Sequence, residues 1–266
     1  MTPVSTASII GMLFTLLISL IVPIAACIVL VLKWKKKVRI SSFFIGACTF
    51  ILFAMILERI FHTFIFRITG TLITGNTWLY AVYGGLAAGL FEETGRLVAM
   101  KFFMKDTLNR ENAILYGVGH GGIEAILLIG LTYVNNLIYS LLINSGALTN
   151  LLSTYDADAQ QTVIQQLSVL GTLPSLQFYL AGIERIGAML FHVVLSYLIY
   201  LAVSRNNLKL YALSIFLHGF LNAGVVILSR MVSVLLSEII MLLAVVLLAV
   251  VLYRHEKGSP HSVPRP

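Results

Sequence analysis

Long apolar stretches separated by short polar segments are the feature that most limits what this chain can fold into. A helix needs ~20 apolar residues to cross the ~30 Å hydrocarbon core of a bilayer. Seven stretches are long enough, and they run approximately over residues 9–32, 40–65, 78–102, 113–145, 176–203, 210–228 and 231–253. Only 11% of the residues are charged, against roughly 25% in a soluble domain. We therefore predict an all-α, polytopic membrane helix bundle with about seven transmembrane helices.

Lysine and arginine side chains are concentrated in alternate loops. They follow the first, third, fifth and seventh stretches, as Lys33, Lys35, Lys36, Lys37, Arg39, Lys101, Lys105, Arg110, Arg205, Lys209, Arg254, Lys257 and Arg265. Because short basic loops stay on the cytoplasmic side, we predict that the N-terminus lies outside and the C-terminus inside. The net charge of +7 then reflects these loops and their contact with anionic headgroups. The expected partner is the membrane lipid bilayer, and nucleic acid is excluded.

The chain is organised simply. We predict a single integral-membrane domain over residues 1–266, with a motif core at about 78–230 and a disordered, Pro-rich tail at 255–266. The long outer loop, roughly 146–175, contains a segment at 156–170 with the apolar spacing of an interfacial helix. Ser229 and Arg230 are expected to form the tight turn between the last two spans.

Three charged side chains interrupt the third apolar stretch. Glu92, Glu93 and Arg96 lie within otherwise membrane-compatible sequence, and each ionisable side chain near the bilayer centre costs at least ~2.5 kcal/mol on insertion scales. A structural Glu–Arg pair at i,i+4 would explain one carboxylate but not two. The stretch therefore favours a buried catalytic or ion-handling site.

Later spans carry further polar residues at matching depth. His120 and Glu124 are spaced i,i+4, His192 stands in the fifth span, and His218 and Asn222 are again spaced i,i+4. At ~1.5 Å rise per residue, these groups and the paired glutamates fall in one layer roughly 10–18 Å below the cytoplasmic surface. Four non-adjacent helices would thus converge at one level. Glu58, Arg59 and His62 in the second span are expected to be mainly structural.

Together these motifs resemble those of the CAAX-protease and PrsW superfamily of intramembrane peptidases and, within it, the YhfC family, described as intramembrane metalloproteases. The motifs are Glu-Glu-x-x-Arg, Gly-x-Gly-His-x-x-x-Glu, a single His, and His-x-x-x-Asn. The resemblance implies that the site residues are Glu92, Glu93, Arg96, His120, Glu124, His192, His218 and Asn222. The CAAX branch has a histidine in the second motif where the PrsW branch has a glutamate, so His120 and Glu124 both remain candidates. It also implies a peptide or membrane-protein substrate and a multi-pass protein of the bacterial cytoplasmic membrane.

The chemistry of these residues leaves two schemes open. In a metal-free scheme, Glu92 is the base, a histidine holds the water, and His218 with Asn222 donates hydrogen bonds to the oxyanion. Glu93 is then either an alternative base or, with Arg96, a supporting ion pair. In the second scheme, one divalent metal ion such as zinc activates the water. Its candidate ligands are Glu92, Glu124, His192 and His218.

Two other functions share the same buried charges. A proton-coupled small-molecule transporter also needs intramembrane Glu, His and Arg, but inverted repeats typical of such proteins are not evident in the sequence. A non-catalytic membrane scaffold of the same fold is the remaining alternative.

Overall fold

All secondary structure in the described part of the chain is helical. The computed structural model describes residues 1–258. The helices are α1 (Thr6–Trp34), α2 (Ser41–Thr69), α3 (Thr71–Thr74), α4 (Thr77–Val98), α5 (Arg110–Asn144), α6 (Ala147–Leu152), α7 (Ala157–Thr172), α8 (Ser175–Ser204), α9 (Leu208–Met231) and α10 (Val234–Gly258).

Within residues 1–258, six helices are long and apolar enough to cross a membrane, namely α1, α2, α5, α8, α9 and α10. The third predicted span is also helical, as α4 with its π-helical continuation Ala99–Phe103. It is not one of the six, and it carries Glu92, Glu93 and Arg96. The prediction of an all-α polytopic membrane protein is confirmed. The seven crossings and the sidedness of the termini stay predictions.

The chain folds as two compact units. One comprises Met1–Val22 and Ala125–Ile186, and the other comprises Pro23–Glu124 and the described residues from Gly187 onward. The single domain over residues 1–266 stays a prediction.

In the first unit, apolar side chains from four helices form a core. Met12, Tyr133, Leu170 and Phe178 are buried there. The helix predicted at 156–170 is confirmed as α7, and the Asp156 side chain caps it by accepting a 2.8 Å hydrogen bond from the Ala159 amide, an interaction that satisfies a free amide at a helix start. Its position on a membrane surface stays a prediction.

In the second unit, glycines bring α4 and α9 into close contact. A Cβ atom on Gly89 would lie 2.7 Å from the Ile215 carbonyl oxygen, and one on Gly85 would overlap the Gly219 carbonyl oxygen. Small residues allow membrane helices to pack backbone to backbone. The side chains that α4 and α9 carry between them are therefore held close together.

Two local predictions need correction. Helix α9 continues through Ser229 and Arg230 to Met231, and the Ser229 hydroxyl donates to the Val226 carbonyl within that helix. The turn follows Met231, and the Ser233 hydroxyl caps the start of α10 by accepting a hydrogen bond from the Leu236 amide at 3.3 Å.

The predicted disordered tail begins too early. Residues 255–258 continue helix α10. The Glu256 carboxylate there accepts hydrogen bonds of 2.9 and 3.0 Å from Arg205, which ties the last turns to the end of α8. Residues 259–266, the rest of the predicted tail, lie outside the described residues.

Candidate active site

Acidic and basic side chains from four helices meet inside the second unit. Helix α4 contributes Glu92, Glu93 and Arg96, α5 contributes His120 and Glu124, α8 contributes His192, and α9 contributes His218. Glu92 is 6% exposed, and Glu93, Arg96 and His120 are fully buried. The structure thus brings together seven of the eight candidate site residues.

Glycines in the second motif explain how α5 reaches its neighbours. A Cβ atom on Gly117 would lie 2.7 Å from the Val193 Cα atom, and one on Gly121 would lie 3.0 Å from the His192 Cβ atom. Side chains larger than hydrogen would push α8 away. The close approach that these glycines permit sets His192 beside His120, with ring centroids 5.2 Å apart.

Glu92 is the side chain that the others surround. Its Oε2 atom accepts a 2.8 Å hydrogen bond from His120 Nε2 and lies 3.5 Å from Arg96 Nη2 and 3.8 Å from His192 Nδ1. Its Oε1 atom faces His218 Nε2 at 3.8 Å. The two oxygens of one carboxylate therefore face different histidines.

Glu93, the neighbouring carboxylate, contacts three hydrogen-bond donors. It pairs with Arg96 and accepts hydrogen bonds from His218 Nδ1 at 2.7 Å and from Ser214 Oγ at 2.5 Å. A carboxylate with three such donors is stabilised in its charged form even without water. These contacts fit the supporting ion pair, which is one of the two roles predicted for Glu93.

The contact with Arg96 determines which ring nitrogen of His192 carries hydrogen. A guanidinium only donates, so its 2.5 Å contact with His192 Nδ1 makes that ring nitrogen an acceptor. The ring hydrogen then lies on Nε2, which contacts Glu124 Oε2 at 2.5 Å. His192 is held between a donor and an acceptor, and Glu124 fixes its orientation.

The residues present fit a zinc ion. Glu92, His120 and His192 each offer one ligand atom, and these atoms lie within 4.8 Å of one another. Two imidazoles and a carboxylate are a known ligand set of catalytic zinc, which leaves a fourth position open. The cluster also holds three carboxylates and one guanidinium, so one divalent cation would neutralise the remaining charge.

This ligand group differs from the predicted set. It contains His120, whereas Glu124 contacts His192 Nε2 through Oε2 and His218 contacts Glu93. The lone pair of His192 Nδ1 that receives Arg96 is also the one that a metal needs. His192 Nδ1 can therefore accept from Arg96 or bind a metal ion, but not both. With a metal ion bound there, Arg96 would still have Glu93 as a partner.

Helix α9 carries two further polar residues near the cluster, Asn222, which was predicted as a site residue, and Ser214, which was not. Asn222 is half-buried one helical turn after His218, and within residues 1–258 its side chain makes no hydrogen bond. Ser214 was not predicted, although its i,i+4 spacing before His218 was a usable signal. It is fully buried against Glu93.

Polar residues of the second predicted span form a hydrogen-bonded chain of their own. His62 contacts the Tyr83 hydroxyl at 2.7 Å through Nδ1 and Glu58 Oε1 at 3.1 Å through Nε2. These hydrogen bonds link α2 to α4, in agreement with the structural role expected for Glu58 and His62. Arg59, their neighbour, is exposed.

The fold and this cluster define a multi-pass membrane protein with a buried Glu/His site. The chain belongs to the YhfC family, because the profile described as "YhfC intramembrane metalloprotease" matches residues 18–252. It is also 37% identical over 201 residues to "Uncharacterized membrane protein YhfC" of Bacillus subtilis (strain 168), which covers 74% of this chain and 77% of that protein. No solved structure matches. The predicted family is confirmed, while the CAAX and PrsW placement stays a prediction.

Proposed function

We propose that this protein is an intramembrane metallopeptidase of the bacterial cytoplasmic membrane, hydrolysing a peptide bond at the site around Glu92. One observation carries the proposal: a single buried carboxylate has nitrogen atoms of Arg96 and of three histidines within 3.8 Å. Burying so many ionisable groups is expensive in a membrane and is typical of functional sites. The family description supports the same class of reaction.

Glu92, His120 and His192 are the residues that would hold the metal ion. A bound divalent ion supplies Lewis acidity at the scissile carbonyl and at the attacking water. Glu124 keeps the His192 ring oriented, and a carboxylate that contacts the far nitrogen of a metal-binding imidazole raises the basicity of that ligand.

The remaining residues supply fixed electrostatics. Arg96 and Glu93 form a fully buried pair, so their charges do not reorganise during the reaction. The Asn222 amide lies one turn from His218 on the same helical face and is the residue we assign to hydrogen bonding with the oxyanion. The site lies in the cytoplasmic half of the bilayer if the predicted sidedness holds.

The proposal is tested by counting new peptide termini in isolated membranes of a bacterial host that produces the wild type or a variant. Mass spectrometry should find new C-termini with the wild type, reduced at least ~100-fold in Glu92→Gln and His120→Ala, as expected on loss of an acid–base or ligand group. Glu184→Gln is a matched control, because this carboxylate is paired with Arg185 outside the site. Equal termini in wild type and Glu92→Gln would contradict the proposal and favour a transporter or scaffold.

A further inference from the structure

The contacts of Glu93 fix which nitrogen of His218 carries hydrogen. Glu93 accepts from Ser214 Oγ and pairs with Arg96, so its carboxylate is charged and acts as an acceptor. The nitrogen that contacts it at 2.7 Å, His218 Nδ1, therefore donates. In the neutral ring this leaves Nε2 with a lone pair and without hydrogen.

The lone pair of His218 Nε2 faces a second acceptor. Glu92 Oε1 lies 3.8 Å away, which is too long for a direct hydrogen bond. A single water molecule can bridge two polar groups at such a separation. Both groups accept, so a water between them would donate one hydrogen to each.

We propose that the attacking water binds between Glu92 Oε1 and His218 Nε2, and that Ser214 is a positioning residue that maintains this arrangement through Glu93. The inference rests on the proposed peptidase function. A water that donates both hydrogens directs its oxygen lone pairs away from both acceptors, toward a bound carbonyl carbon. Glu92 meanwhile keeps Oε2 on the side of His120 and His192, so one carboxylate would hold the metal ion with Oε2 and the water with Oε1.

This arrangement changes the role expected for His218. Donation to an oxyanion requires hydrogen on Nε2, and the contact with Glu93 places it on Nδ1 instead. The same logic governs carboxylate–imidazole pairs in serine proteases, where the carboxylate selects the useful tautomer. The role of oxyanion donor then belongs to Asn222 alone.

The test compares Ser214→Ala with Ser214→Thr, which keeps a hydroxyl. Two quantities are measured: the rate at which new C-termini appear in bacterial membranes, and the ¹⁵N spectrum of histidine-labelled protein in lipid, with His218 assigned by difference from His218→Gln. We expect hydrogen on Nδ1 in the wild type. Ser214→Ala should shift this tautomer balance and lower the rate about 10–100-fold, the usual effect of losing a hydrogen bond to a charged group, and Ser214→Thr should restore both.

Ser196→Ala is the matched control, because Ser196 is a fully buried serine whose hydroxyl has no hydrogen-bond partner among residues 1–258. It should change neither quantity. Hydrogen on His218 Nε2 in the wild type would overturn the water site, and an unchanged spectrum and rate in Ser214→Ala would overturn the role of Ser214. If the wild type produces no new termini, the peptidase function fails, and the tautomer is still read independently.

Discussion

Two neighbouring carboxylates in α4 have different surroundings. Successive residues of a helix point in different directions, so Glu93 faces Ser214 and His218 while Glu92 faces the histidines of α5 and α8. The sequence indicated that both were buried but left the base open between them. Their partners now distinguish them: Ser214, His218 and Arg96 hold Glu93, and Glu92 is the carboxylate that we propose for the reacting centre.

Arg96 is the cation that makes this burial possible. Replacing it in Arg96→Gln leaves Glu92 and Glu93 without their buried counter-charge, and breaking such a pair typically costs about 3–5 kcal/mol. We expect a loss of that size in the free energy of unfolding, measured by denaturant titration in detergent. Arg59→Gln, at an exposed arginine of α2, should change it little; equal effects in both variants would contradict the role of Arg96.

We expect Glu124 to act on the proposed metal site through His192. The Glu124→Gln variant keeps the shape of the side chain but removes the charge that lies against His192 Nε2. Loss of such a partner lowers metal affinity by about 10–100-fold, and competition titration of purified protein with zinc measures this. Glu111→Gln, which removes the charge paired with Lys37, should bind zinc as the wild type does. Unchanged affinity in Glu124→Gln would argue that His192 is not a ligand.

Among the helices, the contact of α4 with α9 is the one that places His218 beside the two glutamates. This contact depends on backbone approach at Gly85 and Gly89. A Cβ atom on Gly89 would also lie 3.5 Å from the His218 Cβ atom. Helix spacing and site geometry are therefore coupled.

Gly84 and Gly85 provide a direct comparison of this coupling. A methyl group in Gly85→Ala meets the backbone of α9, and overpacking of this kind costs about 1–3 kcal/mol. In Gly84→Ala it enters open space, where alanine favours a helix by up to ~1 kcal/mol. We expect Gly85→Ala to lower the thermal unfolding temperature and Gly84→Ala to keep or raise it. The reverse order would show that α4 and α9 do not pack in this way.

Periodic and motif-based features could be predicted from sequence, whereas pairings between helices could not. Apolar stretches located the helices. The similar depth of Glu92, His120, His192 and His218 in their predicted spans indicated that these side chains meet. Ser214 was missed because a serine in a membrane helix carries no charge to draw attention. The turn after Met231 was misplaced because a serine hydroxyl can bond back to its own helix, as Ser229 does.

For the molecule as a whole, membrane sidedness is the property that determines which compartment the site serves. The basic loops predict a cytoplasmic segment at Lys36 and an outer loop at Thr154. In intact cells, a membrane-impermeant thiol reagent should label Thr154→Cys and spare Lys36→Cys, with both labelled after permeabilisation. The native cysteines, Cys27 and Cys48, are replaced by serine in both variants. The opposite labelling pattern would invert the topology and place the site in the outer half of the bilayer.

Zinc-edge X-ray absorption of the purified protein examines the reacting centre most directly. The wild type should show nitrogen and oxygen ligands at about 2.0–2.2 Å, two of them imidazoles, from His120 and His192. His192→Ala should lose one imidazole, and His62→Ala should give the wild-type spectrum. Sulfur ligands, or an unchanged number of imidazoles in His192→Ala, would contradict a metal centre built on Glu92, His120 and His192.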